Sequence, residues 1–196
     1  MKNVAILNGT VTREFVFCYT KGKENFYRAF LSVQRLSGTY DTIPILASDN
    51  IVSMGKFWGG KRVCVIGSVR AYSTYDKKTK VFVEADRIVE IEEQDKNEVR
   101  VEGHVTKPPK LRETLKGSKV SDVIIGVNYL YRKTDFIPCI LWGKNAVEAE
   151  KLEVGTKVKL SGRLQSRKYN KKISEQMEEE RTVYEVSVAR AEYGEG

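Results

Sequence analysis

The sequence predicts an all-β protein made of two tandem copies of one small five-stranded Greek-key barrel, each with a single short helix. Three observations carry this. The chain repeats itself, its apolar residues mostly alternate with polar ones, and the clearer copy shows only one stretch of helical period. Gly9 in NVAILNGTVT and Gly103 in NEVRVEGHVT lie 94 positions apart. The same offset carries Ala29–Gln34 (AFLSVQ) onto Val123–Asn128 (VIIGVN), and Ile43–Ile45 (IPI) onto Ile137–Cys139 (IPC). With one residue inserted, Gly60–Val69 (GKRVCVIGSV) falls on Gly155–Leu164 (GTKVKLSGRL). Four matches in one order mark an internal repeat, with units at residues 1–92 and 97–193. The join, IVEIEEQDKNE (Ile88–Glu98), has no Gly, Pro or Ser and is too short and charged for a flexible tether.

The elements are clearest in the second unit. Val99, Val101 and Val105 oppose Arg100, Glu102 and His104, the period of a half-buried strand. Val123, Ile125, Val127, Tyr129 and Tyr131 share one face of a second strand. In TDFIPCILWGKNA (Thr134–Ala146), Phe136, Pro138, Ile140 and Trp142 share one face, and Ile137, Cys139 and Leu141 the other. Both faces are apolar. The smaller set suits a tight barrel interior and leaves the bulkier, aromatic set for a flat ligand. Ala146, Ala149 and Leu152 then follow at close to helical spacing, and Gly155 suits a helix stop. A fourth strand sets Val158, Leu160 and Leu164 against Lys157, Lys159 and Arg163. In a fifth, Val183, Glu185, Ser187 and Ala189 oppose Tyr184, Val186, Val188 and Arg190. Five short strands with one helix between the third and fourth is the layout of an OB-fold, a barrel that binds oligonucleotides or oligosaccharides. Other small barrels fit the same pattern.

Charge narrows the partner. Lys and Arg number 34 against 26 Asp and Glu, a net charge of +8 divided evenly between the halves, which favours a polyanion. The three cysteines, Cys18, Cys64 and Cys139, are far apart and form no CxxC pair, and His104 is the one histidine. No zinc site, metal or cofactor is expected, and a disulfide framework is not; a reducing cytosol fits. The N-terminal stretch has the form of neither a signal peptide nor a membrane span. GGKR at Gly59–Arg62 lacks the form of a phosphate-binding loop, and no histidine pair or poised carboxylates suggest an enzyme.

At this point the residues resemble the bacterial single-stranded DNA-binding protein (SSB) family. The resembling segments are NEVRVEGHVTKPPKLRET, TDFIPCILWGKNAVEAEKL and VGTKVKLSGRLQSRKY, most of residues 97–169. The resemblance implies single-stranded DNA as partner, in replication, recombination or repair, in the cytoplasm with the nucleoid. It implies a dimer, because family members with two OB units per chain pair to assemble four. It implies that Phe136, Trp142 and Tyr169 stack on bases, with Tyr129 or Tyr131 as a further stacking residue. Arg163, Arg167 and Lys168 match residues near the DNA backbone. Independently, RLQSRKYNKK (Arg163–Lys172) holds five cations (Arg163, Arg167, Lys168, Lys171 and Lys172), no carboxylate, and Tyr169. Cations interleaved with an aromatic suit alternating phosphates and bases. The acidic stretch beyond, Glu178–Glu180, would repel phosphate, so a long hairpin with its basic limb near DNA is expected. The sequence ends at VARAEYGEG without the family's Gly/Pro/Gln-rich tail and acidic tip, so recruitment through such a tip is not expected. A primosomal or RNA-binding OB protein and an OB adaptor for protein are the alternatives.

The first unit looks weaker as a binding surface. The 94-residue offset puts Thr42 where Phe136 stands and Ser48 where Trp142 stands. Tyr72 and Tyr75 are its substitutes for Tyr169. Phe57 and Trp58 are expected to pack, His104 to be solvated, and Lys107–Lys119 to form a second basic loop.

Overall fold

A computed structural model describes residues 3–54, 58–76, 78–114, 116–129, 133–174 and 177–194, giving the backbone alone at 171–174 and 177. Phe57 and Tyr131 lie outside the described residues. The first barrel is built from β1 (Asn3–Val11), β2 (Val16–Lys21), β3 (Glu24–Gln34), β4 (Tyr40–Ser48), α1 (Asp49–Val52), β5 (Arg62–Ser73) and β6 (Thr79–Glu90). The second repeats it with β7 (Lys96–Val105), β8 (Lys110–Glu113), β9 (Lys119–Tyr129), β10 (Lys133–Trp142), α2 (Gly143–Ala149), β11 (Lys157–Ser174) and β12 (Met177–Tyr193).

Each barrel closes in the order expected of a Greek key. β1 pairs with β3 and β5, β5 with β6, β6 with β4 in parallel, and β4 with β3. The second closes identically through β7, β9, β10, β12 and β11. Its interior is the face the alternation marks: Ile125, Ile137, Cys139, Leu141, Leu164, Val186 and Val188 are all buried. Trp58 is buried too, its indole Nε1 donating to the Val52 carbonyl at 2.9 Å.

Three details differ from the sequence reading. Among the described residues each five-stranded barrel carries one further strand, because β2 and β8 form an added hairpin arm on β3 and β9. Part of the Lys107–Lys119 segment is therefore strand. Gly155 does not stop α2, which ends at Ala149 with Glu150 as its cap. Instead Gly155, at φ +95°, turns the chain into β11 while its N–H donates to the Val105 carbonyl at 2.8 Å. Finally, β12 carries a bulge where Ser161 and Gly162 of β11 face Arg190 and Val188. The extra residue flips the alternation, so Ala191 and Tyr193 pack on the core and Arg190 is exposed. Gly162 permits this: a Cβ there would stand 2.0 Å from the Ser187 carbonyl oxygen.

The two barrels are joined through β1 and β7, which pair antiparallel from Asn3↔Val101 to Asn8↔Lys96 and make one 12-stranded sheet. Ala5 lies opposite Val99, its own equivalent 94 positions on, so a local pseudo-two-fold axis passes between them. Two equivalent aspartates latch the barrels through different partners. The Asp41 carboxylate accepts from the Ser166 N–H at 2.7 Å and the Ser166 hydroxyl at 3.1 Å, and it holds Arg35. Its equivalent, Asp135, accepts from Arg70 of the first barrel, which also pairs with Glu84.

Candidate nucleic-acid interface

The outer face of the second barrel is set by β10. Ile137, Cys139 and Leu141 fill the interior, and Phe136 and Trp142 remain 53% and 40% exposed. The Trp142 Nε1–H donates to the Ser187 hydroxyl on β12 at 3.1 Å. That bond fixes the indole by its edge, and a large part of its surface stays in solvent. Pairing of β10 with β12 brings the fifth-strand residues Glu185 and Ser187 next to these rings, and β11 follows with Arg163, Gln165, Arg167 and Tyr169.

The cations on β11 are not bare. Gln165 and Glu185 are both buried, and Gln165 donates to the Glu185 carboxylate at 2.9 Å. Arg167 donates to the same carboxylate at 3.4 Å, its guanidinium 5.8 Å from the Tyr169 ring centre. Lys168 pairs with Glu180 at 2.9 Å. Arg163 is exposed and reaches Gln165 at 3.4 Å. In the backbone register Lys171 stands opposite Glu179 and Lys172 opposite Glu178; the structure does not describe these two lysine side chains. The long hairpin is thus present, with a basic and an acidic limb. The limbs lie side by side as β11 and β12, because antiparallel register sets the acidic run directly across from the basic one. A phosphate reaching Arg167 or Lys168 meets a cation already partly neutralised by a carboxylate.

Tyr129 sits at the seam between barrels. The Arg70 guanidinium lies 3.4 Å over its ring centre, so one ring face is covered by the first barrel. Any base stacked on Tyr129 has only the opposite face.

The first barrel does have small residues at Thr42 and Ser48, and Tyr75 projects fully into solvent from the β5–β6 turn. Its aromatics stand on other strands instead. Phe17 and Tyr19 on β2 and Tyr72 on β5 are each roughly half exposed. Tyr19 stacks on Phe26 with centroids 5.1 Å apart, and Tyr72 meets Phe82 of β6 edge-on at 6.0 Å. Partial burial, and then the Glu84 carboxylate, push the Tyr19 hydroxyl above its ordinary range. These rings, with Phe30, line one wall of a groove of about 1500 Å³ whose far wall is Arg167, Tyr169, Arg181 and Tyr184. Sequence reasoning found Tyr72 but not Phe17, Tyr19, Phe30 or Phe82. The alternation of Phe15, Phe17 and Tyr19 was the available signal.

Among the described residues no group of three or more His, Cys, Asp or Glu is placed to hold a metal ion, and no helix is long and apolar enough to cross a membrane. The model of the single-strand binding protein family matches residues 96–193, the whole of β7 to β12. The chain belongs to the single-strand binding protein family. Over 80 residues it is 36% identical to single-stranded DNA-binding protein B of Bacillus subtilis, an alignment covering 37% of this chain and 71% of that protein. It is 36% identical to single-stranded DNA-binding protein 2 of Listeria innocua and 38% to the single-stranded DNA-binding protein of Bacillus cereus, covering 37% of this chain in each case. The chain spans about half the length of these last two relatives, 50% and 47%. The single-stranded DNA binding protein from Thermus aquaticus superposes on both barrels with a TM-score of 0.79 at 23% identity, covering 99% of this chain and 93% of that one. A deletion mutant of the Thermus protein gives 0.76 at 24%, covering 99% and 95%. Those two likenesses establish the tandem fold; family membership rests on the second barrel.

Proposed function

We propose that this protein binds single-stranded DNA with little sequence preference, by stacking bases on aromatic rings and neutralising phosphates with Lys and Arg, and that it serves replication, recombination or repair by binding rather than by catalysis. The observation that carries this is the exposed pair Phe136 and Trp142 on the outer face of β10, inside the segment matched to the family. Aromatics left in solvent on such a barrel face are the usual platform for successive bases. Arg163 and Tyr169 extend the surface along β11, and Arg167 and Lys168 join it once their carboxylate partners yield. Residues 1–92 and 97–193 are taken as the two binding units. Two chains pair to present four OB units, by the family resemblance of a two-unit chain, and the unbridged thiols fit work in a reducing cytoplasm.

Titration with oligo-dT, followed by intrinsic tryptophan fluorescence in the parent and by anisotropy of labelled oligo-dT in the variants, tests the reading, with the mass in solution measured alongside. Phe136→Ala and Trp142→Ala should each weaken binding by about 1–3 kcal/mol. Normal affinity in both variants, with fluorescence of the parent unresponsive to DNA, would remove β10 from the site.

A further inference from the structure

Asp41 and Asp135 hold the same place in the two barrels, 94 positions apart, and both are buried. Their arginines come from different places. Asp41 takes Arg35 from its own barrel. The position equivalent to Arg35 in the second barrel is Tyr129, so Asp135 has no arginine there. Its guanidinium crosses the seam instead. Arg70 of β5 donates to Asp135 through Nε and Nη2 and to Glu84 through Nη1. It lies 3.4 Å over the Tyr129 ring centre, so the ring fills the vacated arginine position and carries one face of the guanidinium. Allowing for the inserted residue, the equivalent of Arg70 is Gln165, which stays within its own barrel on Glu185. Guanidinium support therefore runs one way, from the first barrel to the second.

The residue after Asp135 is Phe136. Alternate side chains of a strand leave on opposite faces. A carboxylate fixed inward at 135 therefore turns the ring at 136 outward. β10 starts at Lys133, and Asp135 is its first buried residue. Trp142 is tied by its N–H to Ser187, whereas Phe136 has no polar atom to tie. Phe136 also lies opposite Gly126, which offers no side chain to lean on. The ring is thus directed by its backbone, and the backbone by Asp135. The Arg70 and Asp135 side chains are only 13% and 11% exposed, so water competes weakly for the pair. In the first barrel the residue after Asp41 is Thr42, and the same frame there directs no ring.

We propose that Arg70 is a positioning residue for the DNA face of the second barrel: by holding Asp135 inward it fixes the direction of Phe136, so a side chain of one barrel completes the stacking site of the other. This rests on the single-stranded DNA reading above. It gives the first unit a part in binding that needs no DNA contact of its own.

Anisotropy of labelled oligo-dT of about 8 nucleotides, within the site size of one OB fold, tests this in the full-length chain. Circular dichroism confirms that each variant is folded at the temperature used. Arg70→Gln should weaken binding by about fivefold, the lower end of the loss from one unstacked base. The log–log salt slope should not change, because no phosphate contact is lost. In a Phe136→Ala background Arg70→Gln should have no further effect, since the ring it directs is gone. Tyr129→Arg offers Asp135 the in-barrel arginine that Arg35 gives Asp41. Added to Arg70→Gln, it should return the affinity to within about twofold of the parent, the tolerance within which independent changes add. A slope shallower by about 0.7 in Arg70→Gln would make Arg70 a phosphate contact and overturn the proposal. So would parental affinity in Arg70→Gln, an undiminished loss in the Phe136→Ala background, or failure of Tyr129→Arg to restore binding. If Arg70→Gln does not fold, Asp135→Asn replaces it. That variant removes the charge that draws Arg70 in, and should show the same loss and the same silence in the Phe136→Ala background; parental affinity there overturns the proposal. Failure of the parent to bind any oligo-dT would overturn this proposal and the DNA reading together, whereas a binding parent with an indifferent Arg70 overturns this proposal alone.

Discussion

Replacing Asp41 with Ala tests whether the two barrels are locked into one body. Asp41 is wholly buried, yet its carboxylate takes four hydrogen bonds: from Arg35 Nε and Nη2 at 2.7 and 2.6 Å, and from the Ser166 N–H and hydroxyl at 2.7 and 3.1 Å. The alanine variant leaves the Ser166 N–H without its acceptor, a loss of about 1–3 kcal/mol. It also strips Arg35 of its carboxylate, leaving its Nη2 the bond to the Ser166 carbonyl at 3.1 Å. Breaking a buried pair from one side costs about 3–5 kcal/mol, but the Arg35 side chain is 25% exposed, so water recovers part of that. The expected destabilisation is about 3 kcal/mol, near the bottom of that range. Urea unfolding followed by circular dichroism measures it, with the slope checked for a change in cooperativity. Asp122→Ala is the control: its partner Arg112 and Asp122 itself are both nearly half exposed, and the loss should stay within about 1 kcal/mol. A loss at Asp41 no larger than at Asp122 would refute the latch, and a transition that divides in two would show that Asp41 couples the barrels rather than merely stabilising one.

Other outcomes follow from the hairpin, the bulge and the thiols. Neutralising Arg167 and Lys168 together should flatten the log–log salt dependence of oligo-dT binding by less than the roughly 1.4 expected of two free cations, because Glu185 and Glu180 already hold them. Glu180→Gln should instead strengthen binding by releasing Lys168, most at low salt where screening is weakest; an unchanged affinity would take Lys168 off the DNA path. Gly162→Ala should destabilise by about 1–3 kcal/mol by overpacking, since its Cβ would meet the Ser187 carbonyl oxygen at 2.0 Å; wild-type stability by thermal melting would show that the bulge relaxes freely. Burial first, and then the Glu185 carboxylate, push the Cys139 thiol well above its ordinary range. Its reactive thiolate is therefore scarce, and alkylation of Cys139 should stay slow up to about pH 9 in the native protein and become fast in urea.

The barrels were legible because two kinds of pattern survive in sequence: the period of two that separates Ile137, Cys139 and Leu141 from Phe136 and Trp142, and the offset that superposes one copy on the other. What stayed hidden depends on which strands become neighbours. Nothing local says that β4 pairs in parallel with β6, so Phe30, Tyr72 and Phe82 cannot be seen to share a surface until the barrel is closed. Carrying the second unit's aromatic positions back by 94 residues found Thr42 and Ser48 and suggested a depleted face. The basic run Arg163–Lys172 was equally plain. Its pairing with Glu178–Glu180 depends on the hairpin register, which a two-residue difference in turn length would have changed. The added strand of the second unit, β8, is four residues long and too short to show an alternation, whereas β2 has six and carries one.

The two copies agree where geometry leaves no choice and differ where it does. Gly9 and Gly103 are equivalent, and a Cβ at either would stand 2.4 Å from a backbone carbonyl oxygen. Gly67 and Gly162 are likewise equivalent, each at its barrel's bulge and each 2.0 Å from such an oxygen. Asn3 clasps the peptide of Val69 by both N–H and C=O, and its equivalent Asn97 does the same to Leu164. Asp41 and Asp135 each reach across the pseudo-two-fold seam. These positions fix the frame: the glycines, Asn3, Asn97 and Asp41 each meet backbone, and Asp135 holds the Arg70 side chain. The outer faces carry no such constraint, and there Thr42 faces Phe136, Tyr72 faces Arg167 and Phe82 faces Glu185 across the repeat. A strand lying over both barrels would therefore meet stacking rings on β10 in one unit and on β2, β5 and β6 in the other. Its bases would be held at unequal spacing and with unequal strength. The affinity of the two-barrel chain should then depend on the length of the strand in unequal steps, a behaviour that two identical barrels on the same symmetric frame would not give.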